Sequence, residues 1–250
     1  MDLYLKGKTA IVTGASQGLG RAMAKELAME GVKVFATARN EDRLNSFKAE
    51  VINAGGVEPI IFVQDIMSID GPQNIATAAI SALGHIDILI NNAGQSRAVG
   101  VTGAEDAWRE SVTLDFDRPR QLTQQLLPQM MERKQGVILN LSSSYELRTI
   151  NVSAVAKASV VAWSKALACE LGRYNIRVNC LQPGLLDTQN VRNIFSDEER
   201  KIFAEREIPL GDFGEPQDAA NVAVFLVSSR AKYITGSVVA VDGGLRRYAF

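Results

Sequence analysis

The chain has 250 residues, a formal net charge of -1 and a pI near 6.0, a balance that gives no electrostatic reason to expect nucleic acid or an anionic membrane as partner. Its 46% of hydrophobic residues suffices for a large core without disulfides or a structural metal. The lone His85 makes no metal site, and Cys169 and Cys180, both in apolar stretches, read as buried reduced thiols. Near the N-terminus no apolar run is long enough for a signal peptide or a membrane helix, so the expectation is a cytoplasmic protein.

Short β-rich runs are expected at 9–13, 33–38, 58–63, 86–91, 136–142, 177–183 and 238–241. Between them lie longer amphipathic patterns, among them 18–30, 40–54, 152–173 and 216–228. No repeat or linker divides the chain, so the alternation predicts one α/β domain over 1–250, a doubly wound parallel sheet with helices on both faces. Ligands of such sheets bind beyond the carboxyl ends of the strands. The polar segment 189–210 breaks the alternation and reads as a helical excursion.

The first strand runs into Thr13-Gly14-Ala15-Ser16-Gln17-Gly18-Leu19-Gly20, which then opens a helix. In this strand–turn–helix setting the glycines serve a dinucleotide pyrophosphate: Gly14 for a tight turn, Gly18 for close backbone approach, Gly20 for helix–strand packing. The second strand ends Ala38-Arg39, without the acidic residue that would bind a ribose 2′-hydroxyl. A guanidinium at position 39 suits a 2′-phosphate, so NADP(H) is expected, with NAD(H) as the lesser option. Pro119 carries no N–H, so the carbonyl of Asp115 loses its ordinary partner four residues on.

With Asn91-Asn92-Ala93-Gly94 and Ser153-Ala154-Val155-Ala156-Lys157, these motifs resemble the short-chain dehydrogenase/reductase family, over almost the whole chain. The resemblance implies a seven-stranded Rossmann fold and a nicotinamide cofactor lined by Ser16, Gln17, Leu19, Asp65, Ile66, Asn91, Ala93, Gly94, Pro183, Gly184 and Thr188. It implies that Ser143 orients the substrate oxygen and that Lys157 binds the nicotinamide ribose. It further implies a lid at 189–210, although the residues alone fit a solvated surface helix pair equally. A homotetramer or dimer is implied too, although the apolar helix faces fit intramolecular core as well.

Two positions depart from the family pattern. Ser153 stands where the family usually has the proton-donating tyrosine, and Asp115 stands where it has asparagine. An aliphatic hydroxyl is a far weaker acid than a phenol, whose unperturbed pKa is about 10. Ser153 therefore reads as a spacer, with Tyr145 or a water held between Asp115 and Lys157 as candidate donors. This combination resembles the 2,4-dienoyl-CoA reductase branch, which implies an NADPH-dependent reductase of a conjugated carbonyl or acyl thioester, with acyl-CoA as a candidate partner. Arg97, Arg118, Arg120 and Arg148 are candidates for its phosphates or ordinary surface charges. The alternatives are 3-oxoacyl reduction or alcohol/ketone interconversion, and a dinucleotide-binding protein with little catalysis.

Overall fold

The computed structural model describes residues 1–143 and 149–247. Seven parallel strands form one sheet in the order β3-β2-β1-β4-β5-β6-β7. They are β1 (Thr9–Thr13), β2 (Lys33–Ala38), β3 (Ile60–Val63), β4 (Ile88–Asn91), β5 (Gly136–Leu141), β6 (Ile176–Pro183) and β7 (Val238–Val241). The order reverses between β1 and β4, and that places a crevice at their carboxyl ends. Strands β3 and β4 each start two residues later than expected, β5 ends one residue earlier and β6 starts one residue earlier. The Asp87 side chain, just before β4, accepts from Thr9 and Arg133.

Helices α1 (Gly18–Met29), α2 (Glu41–Asn53), α3 (Gly71–Leu83), α4 (Glu105–Val112), α5 (Arg118–Arg133) and α6 (Val152–Leu171) follow in chain order. Helices α7 (Gln189–Arg192), α8 (Asp197–Glu207) and α9 (Pro216–Val227) complete the set. Period-two alternation along the strands feeds two cores. Ala10 and Val12 face α1, α2 and α9 through Met23, Leu27, Phe47 and Val224. Ile11 and Leu89 face α3, α5 and α6 through Ile75, Leu122, Met130 and Leu171. By length and composition α6 also meets the requirement for a membrane span, with a mean hydropathy of 1.3 over Val152–Tyr174. Here it lies along the sheet and buries Ser153 and Ser164 together with its apolar residues. Cys180 is buried, but Cys169 is exposed because it lies on the side of α6 turned from the sheet.

A buried polar ladder crosses the second core. Asn91 Nδ2 donates to Thr123 Oγ1 at 3.1 Å and to Asn140 Oδ1 at 2.8 Å. Asn140 Nδ2 donates to Ser164 Oγ at 2.8 Å, and Ser164 donates to the Val160 carbonyl at 2.7 Å. The ladder ties β4 and β5 to α5 and α6, the helices on either side of the candidate site. Replacing Asn140 with Ala takes one hydrogen bond from each of two buried side chains, Asn91 and Ser164. We expect Asn140→Ala to lower unfolding stability by about 1–3 kcal/mol in chemical denaturation, whereas a surface change such as Gln124→Ala leaves it within about 0.5 kcal/mol.

Candidate active site

The glycine turn lies at the β1–β4 crevice. Thr13 Oγ1 accepts from the N–H groups of Asn92 and Ala93, both at 3.0 Å, and Asn92 Nδ2 donates to the Thr13 carbonyl at 2.9 Å. This seam brings Gly20 so close to Asn92 and to the Gly14 carbonyl that no Cβ fits. Gly14 and Gly18 adopt φ of +68° and +54°. No side chain caps the N-terminus of α1 and no acidic residue lies in its first turn, so its N–H groups and positive end are available to a pyrophosphate. Asn92 is a residue the sequence reading passed over. Its role rests on a cross-strand contact that local spacing does not reveal. The Asn91 amide nitrogen, by contrast, is committed to the ladder.

Around this turn, Arg39 is exposed at the end of β2, with no ion pair among the described residues. Gln17 accepts a hydrogen bond from Arg43 on α2, a second guanidinium at this edge that the sequence reading missed. Asp65 is exposed and accepts from the Met67 N–H at 2.9 Å, while Ile66 is buried. Gly184 bonds the Val241 carbonyl at 2.8 Å just after Pro183, and the Thr188 methyl stands over Gly18. A groove of 360 Å³ lined by Gly18, Thr188 and Gln189 opens beside the turn.

Asp115 lies in a π-helical turn, Thr113–Asp117, between α4 and α5. There the Arg118 N–H reaches back five residues to the Thr113 carbonyl, one position past the usual helical partner. The turn precedes Pro119, whose missing N–H disturbs the helical ladder at this point. The Asp115 carboxylate is 2% exposed and sits 3.8 Å from Lys157 Nζ. Burial raises its pKa above the usual carboxylate range, against the opposing influence of Lys157, the Ser153 hydroxyl and the Gln95 N–H. These last two face the carboxylate, yet neither closes a hydrogen bond of regular geometry. Both Asp115 oxygens and the Ser153 hydroxyl thus lack a hydrogen-bond partner in the protein. Buried groups of this kind are satisfied by water or by a ligand atom. A Cβ at position 94 would stand 2.5 Å from Asp115 Oδ1 and 3.2 Å from Lys157 Nζ, so Gly94 is what allows the two to meet.

Ser143 follows β5, and its carbonyl accepts from Gln182 Nε2 at 2.7 Å. Tyr145 and Arg148 lie outside the described residues. A short antiparallel strap ties the loop after β4 to the start of α6: Val99 N–H bonds the Ile150 carbonyl and Val152 N–H the Arg97 carbonyl, both at 3.1 Å. Asn151 caps α6 and also donates to Ser96, which fixes the turn carrying Ser153. Three of the arginines considered for a CoA phosphate have internal partners: Arg97 pairs with Glu110, Arg118 donates to the Met67 carbonyl, and Arg120 pairs with Asp117. They hold loops and helices in place, the plainer of the two sequence readings. Helices α7 and α8 form the excursion after Thr188, with Phe195, Phe203 and Phe213 packed edge to face or tilted and Asp187 bonded to Arg192 and Arg200. Among the described residues no cluster of His, Cys, Asp or Glu is placed to hold a metal.

The family model described as enoyl-(acyl carrier protein) reductase matches residues 14–246. A 3-oxoacyl-(acyl-carrier-protein) reductase, FabG, from Thermotoga maritima is 34% identical over 97% of this chain and 99% of its own. L-sorbose reductase from Gluconobacter frateurii, solved with NADPH and L-sorbose, superposes with a TM-score of 0.94 at 32% identity over 99% of this chain and all of its own. A 7α-hydroxysteroid dehydrogenase solved with NADH and 7-oxoglycochenodeoxycholic acid superposes at 0.93, also 32% identical, over 100% of this chain and 98% of its own.

The raised pKa of Asp115 has a consequence for stability. The native state holds this proton to higher pH than the unfolded chain, so ionising Asp115 costs stability that is absent at low pH and grows as pH rises through the ordinary carboxylate range. Melting curves from pH 3 to 8 without cofactor are expected to show Asp115→Asn gaining on the parent as pH rises. A difference independent of pH contradicts the assignment.

Proposed function

Because the chain belongs to the short-chain dehydrogenase/reductase family of oxidoreductases, we propose that it is an NADPH-dependent carbonyl reductase in which water held by Asp115 and Lys157 replaces the family tyrosine as proton donor. The observation that carries this reading is the buried cluster of Asp115, Ser153 and Lys157, whose carboxylate and hydroxyl have no protein hydrogen bond. NADPH supplies the hydride. Ser143 holds the substrate oxygen, and the short Ser153 side chain leaves space for the water. Lys157 and Asp115 orient that water; one of its protons passes to the developing alkoxide while the Lys157 ammonium returns one to the water oxygen, to be replaced from solvent, and Lys157 also holds the cofactor ribose. The backbone around Gly14, Gly18 and Gly20 holds the pyrophosphate, Asp65 and Ile66 border the adenine, and Ala93, Gly94, Pro183, Gly184 and Thr188 line the nicotinamide half.

Arg39 supports NADP(H) over NAD(H), as does the NADPH bound in the sorbose reductase; the NADH in the steroid dehydrogenase leaves NAD(H) as the weaker alternative. The FabG relatives favour a 3-oxoacyl thioester as substrate. A second reading, reduction of a conjugated acyl thioester such as a 2,4-dienoyl-CoA, is favoured by one specific feature: Ser153 and Asp115 occur together. In that reaction the proton goes to carbon, so no tyrosine is needed to hold a carbonyl oxygen. Helices α7 and α8 act as the lid in either case. The protein works in the cytoplasm as a homotetramer or dimer, joined through the outer faces of α4, α5 and α6, where Val112 and Val155 are exposed.

NADPH oxidation is to be followed with a 3-oxoacyl thioester, a 2,4-dienoyl-CoA and a neutral ketose. Asp115→Asn and Lys157→Ala are expected to lower kcat by about 100-fold or more, while Tyr145→Phe retains most of it. A loss confined to Tyr145→Phe would move the donor to that phenol, and tight NADPH binding without any turnover would overturn the enzymatic reading. In equilibrium binding, NADPH is expected to bind about 10- to 100-fold tighter than NADH, with Arg39→Ala erasing the difference.

A further inference from the structure

The segment after β7 has a position that the reductase reading leaves unused. It is built rather than loose. Asp242 packs against Gly184, where an added Cβ would stand 2.6 Å from the Asp242 Cα. Its carboxylate accepts from the Gly244 and Arg246 N–H groups at 3.0 and 3.1 Å, and Leu245 packs into the phenylalanine cluster of α7 and α8. These contacts direct Arg246 inward. Its Nη1 donates to Gln182 Oε1 at 3.4 Å, and the buried Gln182 in turn donates to the Ser143 carbonyl at 2.7 Å.

The Arg246 guanidinium is therefore half-buried and one glutamine away from the residue that holds the substrate oxygen, yet it makes no ion pair with any described carboxylate. Asp242 is the nearest acid in sequence, but both of its oxygens accept from backbone N–H groups. Arg97, Arg118, Arg120, Arg192 and Arg200 are each occupied by an internal partner. Arg39 lies at the opposite end of the crevice, beyond β2, and Arg109 is exposed on α4. A half-buried guanidinium of this kind gains most from a carboxylate or phosphate oxygen, which its planar fork matches.

We propose that Arg246 is a substrate-recognition residue that binds an anionic group, carboxylate or phosphate, carried a few bonds from the reacting carbonyl. This deepens the carbonyl-reductase reading and rests on Ser143 marking the reacting carbon. It also narrows that reading. The phosphate of a pantetheine arm lies more than ten bonds from its thioester carbonyl, too far for a group placed beside Ser143. A short oxo acid or a phosphorylated ketone fits, and a neutral ketose or a long acyl carrier does not use the arginine.

The test compares three ketones of equal carbon number: a keto sugar acid, the corresponding ketose and the ketose phosphate. For the parent protein, kcat/KM is expected to be highest for one of the two anions, and which one identifies the group. Arg246→Gln is expected to reduce that kcat/KM by about 10- to 100-fold, mostly through KM, and to leave the neutral ketose and the KM for NADPH unchanged. Arg246→Lys restores part of the loss. Equal losses on all three ketones, or none, would overturn the proposal. If neither these ketones nor the two thioesters are reduced, the reductase reading fails by itself. Calorimetric binding of the keto sugar acid and of the ketose phosphate to the NADPH-loaded protein then decides: binding weakened by Arg246→Gln supports the arginine site, and binding that is unaltered or absent refutes it.

Discussion

Lys157 is held 3.8 Å from a carboxylate with almost no access to solvent. Much of the site's local architecture follows from keeping these two charges together. A buried carboxylate is tolerated only beside a cation or with its proton, and Asp115 sits between those options: burial raises its pKa while Lys157 opposes the rise. The π-helical turn sets Asp115 in place, and the absence of a side chain at Gly94 lets α6 deliver Lys157 to it. A larger residue at position 94 would separate the pair.

Rigidity at this point comes from the polar interior of an otherwise apolar sheet. The Thr13–Asn92 seam locks β1 to the loop after β4, and the Asn91–Asn140 ladder reaches from Thr123 on α5 to Ser164 on α6. These links pair buried polar groups with one another, and removing one weakens the set. Together they fix the relative positions of β4, β5, α5 and α6, and with them Ser143, Asp115 and Lys157. The excursion of α7 and α8 has a separate small aromatic core.

The fold was largely legible in the sequence because alternation of β-rich and helical runs leaves few arrangements other than a parallel sheet covered on both faces, and the glycine turn marks the sheet edge proposed for the cofactor. What lay beyond sequence reasoning was contact between distant segments. Nothing in the local pattern tells that Asn91 turns inward while Asn92 stitches the crevice, that Arg43 reaches Gln17, or that Arg246 lies one glutamine from Ser143. Composition suggested two buried cysteines, but Cys169 falls on the outer side of α6, since one helical stripe meets the sheet and the other does not. The arginines considered for CoA were indistinguishable from structural arginines until their partners could be seen.

The central claim is that the Asp115–Lys157 pair and the space left by Ser153 hold the water that gives the proton. A high-resolution crystal structure of the NADPH complex tests it directly. The account predicts an ordered water within about 3.2 Å of both Asp115 and Lys157, on the side facing the nicotinamide. A dry cluster, with Lys157 turned away from Asp115 or a phenol filling the space beside Ser153, would contradict it.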